Sequence, residues 1–118
     1  MVQQVNPPNG ARDRFETLRR ELDAAARKSK ESQRAVVELS RRYAALPSDE
    51  KRAVDDRLAE WVVSDDPGLR FDALALIGDH CIRSAVPALR ELARRLESES
   101  GPSAPYELVK VNRLLRHL

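Results

Sequence analysis

The sequence predicts an all-α protein, and two observations carry that prediction. The first is composition, because the chain is rich in Ala, Leu, Arg and Glu and only 4% of its residues are aromatic. Ala, Leu, Arg and Glu favour helices, whereas strands are enriched in β-branched and aromatic residues. The second is spacing, since apolar side chains recur every three or four residues, as along one face of a helix. We expect a long N-terminal helix followed by a small antiparallel array, with four to five helices in total.

The length of 118 residues is that of one domain, which we place at residues 11–118. Residues 1–10 hold two adjacent prolines, two asparagines and a glycine without an amphipathic pattern. They are therefore predicted to form a flexible tail. Within the domain, the long helix is expected at 11–46 and the helical array at 48–118.

The first helix is predicted over residues 11–46 because neither glycine nor proline interrupts them. Its apolar side chains form a seam that is polar only at residues 28–33. Unbroken register and charge pairs four residues apart, such as Asp23 with Arg27, favour one helix of about 50 Å. Two helices that break at the polar centre are the alternative. The seam consists of Phe15, Leu18, Leu22, Ala25, Val36, Leu39, Tyr43 and Leu46.

Pro47 ends the first helix, because the residue before a proline avoids the helical region. Ser48 is predicted to cap a second helix, which extends to about Ser64. Acidic residues follow this cap, where they suit the helix dipole. The buried face of this helix is expected to consist of Val54, Leu58, Trp61 and Val62.

A third helix is predicted from Pro67, after an Asp cap at position 65 or 66, to Gly78. A fourth follows Ser84 as its cap, and a last one opens at Ser103 and runs to the end of the sequence. Pro87 fits the first turn of the fourth helix, where no amide hydrogen is needed. The side chains expected to be buried are Leu69, Phe71, Ala73, Leu74, Ile77, Val86, Leu89, Leu92, Ala93, Leu96, Leu108, Val109, Leu114 and Leu115.

Residues 65–97 carry a motif of five parts: an Asp-Pro opening, an Arg one turn in, an Ala-Leu core pair, a Gly at the end of the first helix, and Ala-Val-Pro-Ala-Leu opening the second. As a set they resemble a HEAT repeat of the short bacterial, phycobilisome-lyase-like kind. The resemblance implies antiparallel helix pairs that stack into a right-handed solenoid, with a face that binds other proteins or, less often, nucleic acid. It implies a scaffold and no catalytic residue.

The chain departs from this family in its number of repeats. One clear pair is present, with half repeats at 49–64 and 103–118, whereas a solenoid normally needs about three repeats. The long first helix fits no standard repeat, and it either packs across the array as a cap or projects as an arm. A projecting seam would need a partner chain, because an exposed apolar stripe is costly. If the helix projects, we expect self-association through seam residues such as Phe15, Leu22 and Tyr43.

Four arginines recur every seven residues on the side of the predicted long helix opposite the seam: Arg20, Arg27, Arg34 and Arg41. Guanidinium groups bind phosphates and carboxylates well, so one interpretation is contact with nucleic acid or an acidic partner. The other is a solvated helix surface, because acidic residues are interspersed along the same segment and the whole chain carries a net charge of only +2.

The residues that usually support catalysis are scarce. His80 and Cys81 are adjacent, but the only other histidine is the distant His117, so a metal site lacks ligands. Cys81 is expected to be a small buried side chain between two helices. Phosphate-binding glycine loops, zinc spacings and Ser-His-Asp sets do not occur in the sequence. We expect no enzymatic activity, no cofactor, no metal and no small-molecule substrate.

Aromatic residues are candidates for an interface, but all five lie on apolar stripes, so we expect them in the core. They are Phe15, Tyr43, Trp61, Phe71 and Tyr106. The longest apolar runs are far shorter than the roughly 20 residues that span a bilayer, so no membrane association is expected. The N-terminal residues do not read as a secretory signal, and a single cysteine suits a reducing compartment, so we expect a cytoplasmic protein.

With the HEAT-like resemblance, these observations predict a non-enzymatic protein-interaction module that presents a rigid helical surface. Its partner is expected to be a second copy or another protein chain. One alternative is nucleic-acid binding through the arginine face of the first helix. Another is a small immunity or adaptor protein that binds a toxin or effector, which follows from size and fold analogy alone.

Overall fold

The computed structural model describes residues 8–29, 32–99 and 101–118. Within these ranges the chain forms six α-helices, one 3₁₀ helix and no β-strand, so the predicted all-α class is confirmed. The helices are α1 (Pro8–Ser29), α2 (Ser32–Ala44), α3 (Ser48–Val62), α4 (Pro67–His80), the 3₁₀ helix (Arg83–Ala85), α5 (Val86–Ser98) and α6 (Ala104–His117). They belong to two compact units, an N-terminal unit of residues 1–57 and a C-terminal unit of residues 58–118. The boundary falls within α3.

The prediction of one continuous helix over residues 11–46 is wrong, because α1 and α2 pack against each other. The rings of Phe15 and Tyr43 meet edge to face with their centroids 6.4 Å apart, whereas one straight helix would separate these residues by about 40 Å. Two shorter helices are favoured because each buries its apolar seam against the other instead of exposing it to water. Residues 30 and 31, at the expected break, lie outside the described residues.

The N-terminal boundary also differs from the expected one. Helix α1 begins at Pro8, so the last three residues of the predicted tail are helical. Proline is well suited to the first turn of a helix, because its fixed φ is helical and no amide hydrogen is needed there. Residues 1–7 of the predicted tail lie outside the described part of the chain.

Polar contacts connect α3 to the other helices of the N-terminal unit. The Tyr43 hydroxyl on α2 donates a hydrogen bond of 2.5 Å to Oδ1 of Asp55 on α3. The Arg57 guanidinium forms ion pairs with Asp13 at 3.3 Å and Glu16 at 3.1 Å, both on α1. These contacts orient α3 by charge and hydrogen bonding as well as by apolar packing.

Helix α4 begins as predicted. The Asp66 side chain accepts a hydrogen bond of 2.8 Å from the backbone N–H of Gly68, and Pro67 occupies the first position. Its end differs, because the helix continues past Gly78 to His80 and closes at Cys81, which has the left-handed φ of 51°. Cys81 is also exposed, so the expectation of a buried cysteine is wrong. Cys81 is exposed because a residue with a left-handed conformation at the cap lies just outside the helix.

The two later helices begin close to the predicted positions. Helix α5 starts at Val86 with Pro87 in its first turn, as expected. Ser84 does not cap it, because Ser84 lies within the 3₁₀ helix and Ala85 occupies the capping position. Ser103 immediately precedes α6, although its side chain makes no capping hydrogen bond.

Helices α4 and α6 run parallel. Arg70 of α4 pairs with Glu107 of α6, and two turns further along both helices Gly78 faces Leu114. A Cβ added to Gly78 would lie 3.0 Å from Leu114 Cδ2, so the glycine permits this close approach. Helix α5 connects the two and packs closely along α6, and it therefore runs in the opposite direction.

Most of the predicted core is buried, including the whole expected face of α3. Three predictions are wrong, because Phe71, Tyr106 and Val109 are 48%, 78% and 56% exposed. Five further predicted core residues are only half-buried: Leu69, Val86, Leu108, Leu114 and Leu115. Apolar side chains surround α4 on all sides, so spacing alone does not decide which of them faces the core. The buried side chains of the C-terminal unit are Leu58, Trp61, Val62, Ala73, Leu74, Leu76, Ile77, Ile82, Ala85, Leu89, Leu92, Ala93, Leu96, Ala104 and Val111.

Candidate functional site

Exposed apolar side chains collect on α4 and α6. Of the large hydrophobic residues that are exposed in the described chain, Phe71, Tyr106 and Val109 lie on these two helices, and Val37 lies on α2. Monomeric proteins rarely leave such side chains clustered in water without a purpose. The surface between α4 and α6 is therefore the candidate site.

The two helices enclose a shallow groove, here called the α4–α6 groove. One part has a volume of about 260 Å³ and the adjoining part about 480 Å³. Phe71, Leu74 and Lys110 line both parts, so the two are continuous. The other lining residues are Pro67, Arg70, Ala75, Ser103, Tyr106, Glu107, Arg113 and Leu114.

Helical periodicity explains why these residues share one surface. On α4, steps of three or four residues lead from position 67 to 71, from 71 to 74 and 75, and from these to 78, so all five lie on the side next to α6. On α6, Tyr106, Lys110 and Arg113 follow the same rule. Because the helices are parallel, each position on one wall stays opposite a partner on the other wall for about two turns.

The ion pair of Arg70 and Glu107 lies at one end of the groove and is mostly buried, with side chains 16% and 18% exposed. Arg70 Nε donates to Glu107 Oε2 at 2.6 Å, and Nη2 donates to Oε1 at 3.1 Å. Its Nη1 donates to the backbone oxygen of Ser64 at 2.9 Å. Hydrogen bonding to Glu107 raises the pKa of Arg70, and the charged guanidinium links the two helices through these bonds.

The rim of the groove is positively charged. Lys110 Nζ lies 4.7 Å from the centroid of the Phe71 ring, a cation–π contact. Neither Lys110 nor Arg113 pairs with a carboxylate in the part of the chain that the structure describes. In contrast, Arg94 and Arg95 on α5 both pair with Glu91, and these hydrogen bonds lower the pKa of that carboxyl. The rim of the groove therefore keeps an uncompensated charge.

The predicted arginine face of the first helix does not exist as one row, because its members lie on two helices. Arg20 on α1 pairs with Glu16 at 2.8 Å, and Arg41 on α2 pairs with Glu38 at 2.8 Å. Hydrogen bonding to Arg42 and Arg41 lowers the pKa of Glu38, which therefore stays ionised. Arg34 is exposed on α2, and the Arg27 side chain lies outside the described residues.

The apolar residues predicted to bind a partner lie inside the N-terminal unit. Phe15 and Tyr43 are buried, at 4% and 5% exposure, and Leu22 is half-buried. Of the eight seam residues only Ala25 is exposed, so the chain itself largely covers the seam and the argument that it needs a second chain loses its basis.

The remaining candidates are isolated. Cys81 is exposed at the end of α4, next to the half-buried His80. Among the described residues no three or more His, Cys, Asp or Glu side chains are grouped so that they could hold a metal ion. The described helices also include none with the length and apolar character needed to cross a membrane.

Sequence reasoning missed the groove because it assigned Phe71 and Tyr106, which line it, to the core. A signal was present in α4, which carries more apolar side chains than one buried face of a helix can hold. The excess points to a second apolar contact. The chain matches no known family model, no curated protein and no solved structure.

Proposed function

We propose that this chain is a non-enzymatic protein-binding module and that the α4–α6 groove is its binding surface. The observation that carries the proposal is the clustering of exposed apolar side chains, Phe71 and Tyr106 above all, along one concave surface. Aromatic side chains beside a pocket are typical of the residues that dominate binding energy in protein interfaces. Clusters of this kind on a monomer mark interaction sites.

The arrangement of the C-terminal unit supports a rigid scaffold of the HEAT-like kind. Helices α4 and α6 are parallel, and α5, which follows α4 and precedes α6 along the chain, runs in the opposite direction. This is the order expected of stacked antiparallel helix pairs. The Arg70–Glu107 pair holds the walls of the groove at a constant spacing. A preformed surface binds with a smaller loss of conformational entropy than a flexible one. An immunity or adaptor role in the cytoplasm is one form of this proposal.

We therefore propose a binding surface in the C-terminal unit rather than on the N-terminal seam. Phe15 and Tyr43 are used internally, and Arg20 and Arg41 are neutralised by neighbouring glutamates. Neither the apolar seam nor the arginine face offers a comparable open surface. The groove combines exposure, concavity and apolar character at one place.

Site-specific photo-crosslinking in the native host tests the proposal. A benzophenone amino acid replaces Tyr106 in the full chain, and the matched control carries it at Arg90, an exposed position on α5 outside the groove. We expect a discrete adduct at position 106 that is missing at position 90. The crosslinked protein is then purified and its affinity for the chain is measured.

The affinity measurement uses Tyr106→Asp and Phe71→Ser, which change two residues that line the groove, with Arg90→Ser as the control. We expect each groove variant to weaken binding at least about tenfold, which corresponds to about 1.4 kcal/mol. The control should bind like the parent. No specific adduct at position 106, or equal affinity of all variants, would contradict the proposal.

A further inference from the structure

We infer that the α4–α6 groove accepts an acidic amphipathic helix of another protein. The inference rests on the proposed function and adds the chemistry of the partner. It comes from the apolar walls of the groove, the charge on its rim and the absence of a β-strand among the described residues.

The apolar walls require a partner whose own backbone needs no hydrogen bonds from the groove. Phe71, Leu74 and Leu114 offer no donors or acceptors, so an extended peptide laid between them would leave backbone groups unsatisfied. Strand addition would need a sheet edge, and the described chain has none. A helix satisfies its own backbone and presents apolar side chains at three- and four-residue intervals.

The length of the groove also suits a helix. Positions 106 and 113 on α6 are two turns apart, about 10 Å along the helix axis. A partner helix with apolar residues at i, i+3 or i+4, and i+7 covers the same length. Its apolar stripe would then bury Phe71 and Tyr106, which are now exposed.

The rim determines the charge of the partner. Lys110, Arg113 and, one turn on, Arg116 are exposed cations of α6, and none of them pairs with a carboxylate within the described ranges. Carboxylates beside the apolar stripe of a partner helix would pair with them and speed the encounter. A second copy of this chain fits worse, because a symmetric contact would bring the same cations together. Nucleic acid also fits worse, because the walls are apolar and the rim cations are few.

The test uses three labelled peptides of about 18 residues, long enough for a stapled helix of several turns. All share one leucine stripe, and the positions beside it are Glu, Gln or Lys. Binding to the full chain is measured by fluorescence anisotropy at about 50 mM and about 500 mM salt, since screening lengths differ strongly between the two. A single-stranded oligonucleotide is a fourth probe.

We expect the Glu peptide to bind at least about tenfold more tightly than the Lys peptide at low salt, and the difference to shrink at high salt. The double variant Lys110→Glu with Arg113→Glu should reverse this preference. Its control is Arg83→Glu with Arg90→Glu, which changes the net charge equally at exposed positions outside the groove. The control should keep the preference of the parent chain. Circular dichroism of both variants shows that each remains folded.

Several outcomes would overturn the inference. One is a Glu peptide that binds no better than the Gln or Lys peptide, and another is no binding below about 100 μM. A third is tighter binding of the oligonucleotide, and a fourth is a dimer in sedimentation equilibrium that Tyr106→Asp, a change in the groove, dissociates. If the crosslink at position 106 and the weaker binding of Phe71→Ser persist in any of these cases, a protein-binding groove stands and only the acidic helix is wrong. Loss of the crosslink result contradicts the proposed function itself.

Discussion

Arg70 on α4 and Glu107 on α6 form a two-pronged ion pair, with hydrogen bonds of 2.6 Å and 3.1 Å between two nitrogens and two oxygens. The third guanidinium nitrogen, Nη1, donates to the Ser64 backbone oxygen. The pair is therefore geometrically specific as well as electrostatic. It links the two walls at one end of the groove that we propose as the binding surface, so its loss should affect both stability and binding.

Glu107→Gln should lower the free energy of unfolding by about 2 kcal/mol, because it leaves the mostly buried Arg70 charge without its carboxylate. Arg70→Lys should also be destabilising, since an ammonium group cannot form the two parallel hydrogen bonds. Urea unfolding followed by circular dichroism gives both values. Glu91→Gln is the control, because its arginine partners are exposed and no measurable loss is expected. Equal effects at positions 107 and 91 would contradict this interpretation.

Tyr43 should make the free energy of unfolding depend on pH in the alkaline range. Burial, and then the hydrogen bond to Asp55, raises the pKa of the Tyr43 hydroxyl above its usual value near 10. Above about pH 10 the unfolded chain loses this proton while the folded chain keeps it, so the free energy of unfolding falls by about 1.4 kcal/mol per pH unit. Below pH 10 both states hold the proton and the contribution is constant.

Thermal unfolding of the native chain and of Tyr43→Phe between pH 8 and pH 11 measures this dependence. Tyr43→Phe removes the titrating hydroxyl while other basic groups still titrate, so its stability should fall less steeply above pH 10. Parallel slopes for the two proteins would show that Tyr43 ionises equally in the folded and unfolded states.

Gly78→Ala should stabilise the protein by about 0.5 kcal/mol. A glycine inside a helix costs about 1 kcal/mol relative to alanine, and the new Cβ would meet only the end of the Leu114 side chain. Leu114 is half-buried and lines the groove, so it has room to turn away. In a Leu114→Ala background the gain should rise to about 1 kcal/mol, which chemical unfolding of the four proteins can measure. A loss of stability in both backgrounds would show that the backbones of α4 and α6 themselves require the glycine.

Cys81→Gly should stabilise the end of α4 by up to about 1 kcal/mol. Cys81 has a φ of 51°, which costs energy for any residue with a Cβ and none for glycine. Its backbone N–H donates to the Ile77 oxygen, and glycine keeps that cap. Cys81→Ala retains the Cβ and should give no gain, so the difference between the two melting temperatures isolates the effect of φ. A melting temperature for Cys81→Gly at or below that of Cys81→Ala would contradict the prediction.

Local features of the fold could be read from the sequence. The Asp66 cap with Pro67 was predictable because capping depends on residues two or three positions apart. The buried face of α3 was predictable because polar residues occupy its other sides. Both depend on short-range spacing along one helix.

The groove could not be predicted in this way, because Phe71 and Tyr106 occupy positions that also suit a core. Whether such a side chain is covered depends on a helix that is distant in sequence. The role of Gly78 could not be predicted either. A glycine directly after the last apolar residue of the pattern suggested a helix end, whereas in the structure this glycine permits the close approach of Leu114. One and the same residue type serves either purpose.

The sequence by itself determined that the chain is helical and where most of the helices start, because helix propensity, capping and periodicity act within a few residues. Only the tertiary structure decided that α1 and α2 are two helices packed against each other, so that Phe15 meets Tyr43. It also decided that α4 and α6 are parallel and leave an apolar groove between them. The physical reason is that burial is a property of pairs of surfaces, and a stripe on one helix does not specify which other surface covers it.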